Sequence, residues 1–403
     1  MLNPLSETQV STITLWYLVQ HSLSSFYKLE KYFGTVSQAV DPKNFSQWST
    51  LALHKNHLQR LSEFQTEAGQ QKFKNLIQDI QKHTDFILTL DQPDYPTQLL
   101  PYTNKPPILF GQGNAQALLQ PQIAIVGSRK PSTHGRQVAY DFAYYLSDQG
   151  FYVTSGLAEG IDEAAHQGAL RHNRTIAVMG TGLDQTYPSL HQQLRQHIIA
   201  QSGTIITEFL PGTPPLQQHF PRRNRIVSAL SLGVIVAEAA LKSGSLITAK
   251  WAAEQGKLIF AIPGHIYSEH HQGCHQLIRE GAILVDHPEQ VVEDLALPTQ
   301  WQCQQRNDQT QIVNQISPKE SQAVQQLSAV SSSVQPSPLN QIHIPQNLLS
   351  LYNQLDWIGQ SIDDLIIKLN LDISTLTSQL MELELLGLCM QQGGLYLRCR
   401  ASK

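Results

Sequence analysis

Residues 220–262 read FPRRNRIVSALSLGVIVAEAALKSGSLITAKWAAEQGKLIFAI, and this stretch decides the fold. Arg223–Leu232 shows helical spacing of apolar residues, and Val234–Ala237 is a short β-rich run. Ser245–Gln255 is helical again, and Leu258–Ile262 is a second apolar run. Helix, strand, helix and strand in this rhythm predict a parallel sheet with crossover helices. The run GVIVA lacks polar alternation, as expected of a strand covered on both faces.

The same alternation extends in both directions. Ile123–Val126, Phe151–Thr154, Thr175–Met179, Thr204–Thr207 and Ile283–Val285 read as strands. Gly135–Ser147, Ile161–Arg171, Pro188–Gln201 and Cys274–Glu280 read as helices between most of them. The fold class is therefore α/β, a doubly wound Rossmann-like parallel sheet over residues 86–297. A Pro- and turn-rich approach, DQPDYPTQLLPYTNKPPILFGQGN, leads into a short strand at Ile108–Phe110.

Residues 1–85 read as a small helical N-terminal domain, with helical spacing at Ile13–Val19, Phe26–Phe33 and Phe73–Ile80 and a helix stop at Gly34. Residues 298–345 form a Gln/Ser/Pro-rich linker whose composition cannot bury a core. Residues 346–403 become ordered again. SIDDLIIKLN and DISTLTSQLMELELLG are amphipathic helices, and GLCMQQGGLYLR reads as a hairpin turning at Gly393–Gly394, which together outline a C-terminal winged-helix domain.

The net charge of −4 excludes a globally basic nucleic-acid binder, so any polyanion site must be a local patch. No run of about 20 apolar residues predicts a membrane span. The start MLNPLSETQV lacks the pattern of a signal peptide. Cys274, Cys303, Cys389 and Cys399 are scattered without a CxxC, which reads as reduced thiols in a cytoplasmic protein.

Four segments carry candidate chemistry. GSRKPSTHG (127–135) follows a strand and opens a helix, where free N–H groups attract phosphate, and Arg129 adds a permanent cation. It is not GxGxxG, so the dinucleotide fingerprint fails. SGLAEGID (155–162) is a second strand-to-helix turn whose glycines permit close backbone approach. FPRRNR places Arg222, Arg223 and Arg225 around Asn224 near a helix start, where cations oppose the helix dipole. Either an anionic ligand or an internal carboxylate must offset them. KSGSLITAK places Lys242, Ser243, Gly244 and Ser245 at another helix start but lacks the spacing of a P-loop.

His265, His270, His271, Cys274 and His275 crowd one segment without HExxH or CxxC, so no metal is expected. Asp162 and His166, four apart on a helix, read as a surface pair or a local hydrogen bond. No GxSxG elbow or carboxylate cluster supplies a catalytic set. No cofactor is expected.

IAIVGSR, SGLAEGIDEAAHQGAL, the 220–256 stretch and AIPG followed by GCHQLIREGA occur in one order. Together they resemble the DNA-processing protein A family (DprA, also called Smf), densely over about 95–295. The C-terminal helices are similar to that family's winged-helix module, and the N-terminal helices (1–85) resemble its sterile-alpha-motif-like or helix-hairpin-helix region only loosely. His275 and the segment IYSEHHQ depart from the usual pattern. The resemblance implies a non-enzymatic, dimeric protein that binds and protects single-stranded DNA in natural transformation and loads the recombinase RecA. By motif, the strand should cross Ser128 and Arg129, the Arg222–Arg225 run and Lys242–Ser245, with Phe220 a candidate for stacking on a base. The alternative is a LOG-like nucleotide phosphoribohydrolase using the same Rossmann-like pocket. However, SGSLITAKW offers Thr248, then Ala249 and Lys250, and no acid. Duplex reading by the winged helix is a further rival, but DISTLTSQLMELELLG carries no Lys or Arg.

Overall fold

The computed structural model describes residues 5–295, 345–355, 360–369, 371–386, 388–392 and 395–398. The chain forms two compact units, Met1–Gln315 and Ile316–Lys403.

The first unit is built on a nine-stranded sheet. Its strands are β1 Phe86–Thr89, β2 Ile108–Gly113, β3 Gln122–Gly127, β4 Tyr152–Ser155, β5 Thr175–Val178, β6 Thr204–Thr207, β7 Gly233–Glu238, β8 Leu258–Ala261 and β9 Ile283–Leu284. Their spatial order is β1-β2-β6-β5-β4-β3-β7-β8-β9. From β6 across to β9 every pairing is parallel. β1 and β2 add an antiparallel extension beyond β6, so the sheet is parallel-dominant and mixed. The expected strands are all present, within one to three residues at each end. β1 was not expected, because FILT is four residues long and its burial depends on antiparallel pairing with β2.

The sheet strands pack on both faces as their apolar runs require. Ile123, Ile125, Val153 and Ile235 join Phe142, Leu146 and Ile161 on one face. Ala124, Val126, Val178 and Val234 join Ile226, Leu230 and Ala249 on the other. The N-terminal helices share a core with the sheet: Ile13, Trp16 and Phe26 cluster with Phe110, Ala177 and Ile205. The Glu7–Leu18 helix starts in a capping box, with Ser6 and Gln9 each accepting the other's backbone N–H. The Leu23–Phe33 helix ends at Gly34, whose φ of 83° is the left-handed conformation that glycine tolerates.

In the second unit, helices Gln346–Gln354, Ile362–Leu369 and Ile373–Leu385 enclose Leu348, Leu351, Leu365, Leu376, Leu380 and Leu383. Strands β10 Cys389–Gln392 and β11 Leu395–Arg398 pair antiparallel, with Gln392 opposite Leu395. This is the winged-helix outline. Gly393, Gly394 and the linker up to residue 344 lie outside the described residues. Among the described residues no helix is long and apolar enough to cross a membrane.

Candidate nucleic-acid interface

β3 lies between β4 and β7, and from it the chain winds outward in both directions. That reversal opens a crevice at the carboxyl ends of β3 and β7, the usual ligand position in such sheets. The strands around it run parallel, so the loops after β3, β4, β5, β7 and β8 emerge at one edge. Ser128 and Arg129 follow β3, and Lys242–Ser245 follow β7. β6 is also parallel to β5, so the FPRRNR segment that follows it starts at the same edge, and the structure brings parts of all four segments to one rim.

The turn after β3 is fixed from below. Ser128 N–H donates to the Glu238 carbonyl (2.7 Å), and Lys130 N–H donates to Ser128 Oγ (3.1 Å). The Glu238 carboxylate is fully buried and accepts from the N–H and hydroxyl of Ser132. Ser132 in turn caps the Thr133–Asp148 helix by accepting from Gly135 N–H (2.9 Å). The Glu238 carboxylate at the end of β7 therefore holds the turn after β3 in place.

Arg129 is exposed above this turn, with its guanidinium carbon 5.3 Å over the Phe220 ring. Lys242 is also exposed, and neither cation forms an ion pair with a carboxylate among the described residues. Ser243 and Ser245 bond to each other through their hydroxyls (2.7 Å) beside the exposed Gly244.

The SGLAEGID loop supports the rim from inside. Asp162 is buried and accepts from the N–H groups of Gly156 (3.0 Å) and Ala158 (3.4 Å). Burial pushes its pKa up, against the pull of Arg223 and these N–H groups. His166 does not bond to Asp162. It accepts from Leu157 N–H (3.2 Å) at Nε2, which leaves Nδ1–H for Thr175 Oγ1 (2.7 Å). The expected surface pair is therefore two buried groups that shape one loop. Gly160, at φ 84°, lies so close to Ser128 O that a Cβ would collide. This contact joins the second turn to the first.

Arg223 is 4% exposed and donates to the carbonyl of Val178 at the end of β5. Its Nε has no hydrogen-bond partner among the described residues, and a Cβ at Gly156 would strike its guanidinium. Burial lowers its pKa to about 10, with Asp162 opposing and Arg129 adding to the fall, so it stays charged at neutral pH.

Arg222 and Arg225 require a correction, because both engage Glu208. Arg222 contacts the carboxylate through Nε (3.0 Å) and Nη2 (2.8 Å), and Arg225 through Nη1 and Nη2 (2.8 Å each). Arg225 is 3% exposed and also donates to Asn104 O. Arg222 lies over the rings of Trp16 and Phe209. Burial alone would raise the Glu208 pKa, but Arg225 and Arg222 outweigh it and hold it at about 2. The internal carboxylate partner is the outcome here, with Arg225 buried in the core and Arg222 a quarter exposed at its edge. Asn224 is half-buried between them. The sequence does hold a signal for Glu208: an acid directly after the buried strand TIIT needs an internal partner.

The histidine-rich segment packs onto the same carboxylate side. His270 Nδ1 and His271 Nε2 lie 3.6 and 3.9 Å from Glu238, and His275 bonds to Gly264 (3.0 Å). Cys274 is buried, and burial pushes its thiol up to about 12. Among the described residues no group of three His, Cys, Asp or Glu side chains could hold a metal ion.

Residues 86–296 match the family model of the DNA recombination-mediator protein A, and residues 336–394 match that of the DprA winged helix domain. The chain is 35% identical to Protein Smf of Synechocystis sp. over 80% of its own length and 82% of that protein. The chain belongs to the DprA family. It is also 46% identical to Protein Smf of Escherichia coli strain K12, matching 53% of this chain and 58% of that protein. The X-ray structure of DNA processing protein A from Streptococcus pneumoniae superposes with a TM-score of 0.61 at 34% identity, covering 72% of this chain and 98% of that one. The first of these family models falls on the unit that carries the rim and the second on the C-terminal unit.

Proposed function

We propose that this DprA-family protein binds single-stranded DNA along the carboxyl rim of its sheet and delivers it to the recombinase RecA. The observation that carries the reading is Arg129, an exposed guanidinium above a switch-point crevice with no carboxylate partner among the described residues. Arg223 lies behind it with one buried acid, Asp162, and Lys242 stands on the facing loop. Arg129, Ser128 and the Lys242–Ser245 loop hold phosphates, and Arg223 adds field from below. Binding releases counterions, so log K falls by roughly 0.7 per log unit of salt for each phosphate neutralised.

The contrast with the overall charge of −4 supports a local site and rapid loss of affinity with salt. Family membership supports RecA loading, a role in natural transformation, homodimerisation through the Rossmann-like domain and a cytoplasmic location. Among the described residues β9 ends the sheet with Leu284 48% exposed, which supports this edge as the surface that meets a second copy. The test is equilibrium binding of matched single-stranded and duplex oligonucleotides across a salt series. Preference for the single strand with a steep salt slope is expected. Equal affinity for both forms, or an affinity indifferent to salt, would rule the reading out.

A further inference from the structure

Tyr187 is an exposed ring held on an unusually well-anchored loop. The loop after β5 carries it, and Arg195 of the Gln192–Ala200 helix fixes that loop from beneath. Arg195 is buried, and burial lowers its pKa. Its guanidinium donates to the carbonyls of Leu183 (2.5 Å) and Gln185 (3.0 Å), to Thr186 Oγ1 (3.0 Å) and to Gln112 Oε1 (2.7 Å). The Asp184 carboxylate accepts from Gly212 N–H (3.0 Å) and ties the loop to the one after β6. A buried cation is costly unless its donors are satisfied, and three of these four acceptors lie immediately before Tyr187. The result is a solvent-facing aromatic on a predetermined backbone, the arrangement that preorganises a contact.

The neighbours of this ring give it direction. Tyr187 is 44% exposed and lies 5.2 Å from the Phe220 ring at an interplanar angle of 39°. Phe220 is itself half-buried. Arg129 covers one of its faces, and Gly180 packs so close that a Cβ there would come within 3.1 Å of the ring. Phe220 therefore offers a bound strand little free face, and Tyr187 is the more open of the two rings. Arg129 and Tyr187 flank the same side chain, so a phosphate on one and a base on the other would belong to one short stretch of strand.

We infer that Tyr187 is a base-stacking residue that takes one unpaired nucleobase beside the phosphate held by Arg129. This inference rests on the single-stranded DNA reading above and deepens it. A duplex presents base edges to a protein and keeps its base faces stacked, so a stacking ring discriminates against it. Stacking is also indifferent to sequence, because every base has a π face. The rim would then combine two selections, charge for a polyanion and a ring for an unpaired base.

The experiment measures binding of the full chain to two fluorescent probes of equal length, an oligothymidylate and an abasic deoxyribose-phosphate strand. Tyr187→Ala is expected to weaken oligothymidylate binding by about 5- to 150-fold, the span reported by removing one stacking ring, while binding of the abasic strand stays unchanged. Tyr187→Phe should retain the affinity of the parent chain for both probes. Equal weakening on both probes would mean that Tyr187 acts through the backbone or the fold, and no change on either would mean that it does not touch the strand. Both results overturn the inference while leaving the wider reading intact. Failure of the parent chain to bind either probe would bring both down together.

Discussion

Arg225 and Arg129 hold the same functional group in opposite circumstances. Arg225 sits in the core with Arg222 at its edge, both locked on Glu208, while Trp16 donates its indole N–H to the Glu208 carbonyl (2.7 Å). Arg129 stands in solvent over Phe220 with no carboxylate partner among the described residues. In sequence both lie near a helix start that follows a glycine- or proline-marked turn, and both look equally fit to meet phosphate. The difference is the position of one carboxylate. Where an acid follows a buried strand, arginine becomes structural and ties the N-terminal helices to the sheet. Where the acid at the strand end, Glu238, is already engaged by Ser132, the nearby cation stays free.

The comparison breaks most directly at Glu208. Glu208→Gln removes the charge that compensates two arginines, one of them almost wholly buried. Breaking such a pair from one side costs about 3–5 kcal/mol. The urea midpoint should fall accordingly, while the protein that remains folded keeps its affinity for single-stranded DNA. An unaltered midpoint would mean that the cluster contributes no stability, and lost affinity in the folded protein would return Arg222 to the interface.

Acid should separate the two regions next. Burial, then Arg222, lowers His21 to about 3, and burial, then His191 and Arg223, lowers His166 to about 3. In the unfolded chain both rings take a proton near 6.5. Between those values the unfolded state binds more protons, so stability falls as pH falls. Each ring removes about 2 kcal/mol by pH 5. Glu208, held at about 2 against 4.5, adds a further loss only below about pH 4.5. Denaturation followed from pH 7.5 to 5 should show this slope, and replacing His21 with Gln should reduce the loss over that range by about 2 kcal/mol. A flat profile would contradict the buried neutral rings.

Much of this division was legible beforehand. The β-rich runs from Ile123 to Val285 and the helices between them gave the doubly wound class, because continuous apolar strands and 3.6-residue spacing are local signals. The strand-end loops followed from that class, so the positions of Ser128, Arg129 and Lys242 on one rim followed too. The pairing of Arg222 and Arg225 with Glu208 did not, because it joins residues 14 and 17 positions apart through a tertiary contact. β1 was missed for the same kind of reason: FILT gains its place from β2. Tyr187 carried no pattern at all, since its distinction lies in what Arg195 does to the backbone beneath it.

On the free side of the comparison, Arg129→Ala should weaken single-stranded DNA binding by about 10- to 150-fold, the range of one charge-assisted phosphate contact. The salt slope should become shallower by about 0.7. The melting temperature should hardly move, because nothing in the core depends on this side chain. A large fall in stability with unchanged affinity would place Arg129 in the same structural class as Arg225.

Lys242 sharpens the distinction at its weakest point. It is an exposed ammonium on a four-carbon stem, without the planar fork that lets arginine grip phosphate with two parallel bonds. Its contribution is therefore mostly that of a salt-screened surface charge, worth up to about 1 kcal/mol. Lys242→Ala should reduce affinity by roughly 2- to 5-fold at low salt and by less as ionic strength rises, with stability unchanged. The decisive readout is the trend with salt. An effect that shrinks as ions are added is that of a solvated charge facing a phosphate across the rim, whereas one that persists undiminished requires Lys242 to hold a desolvated contact.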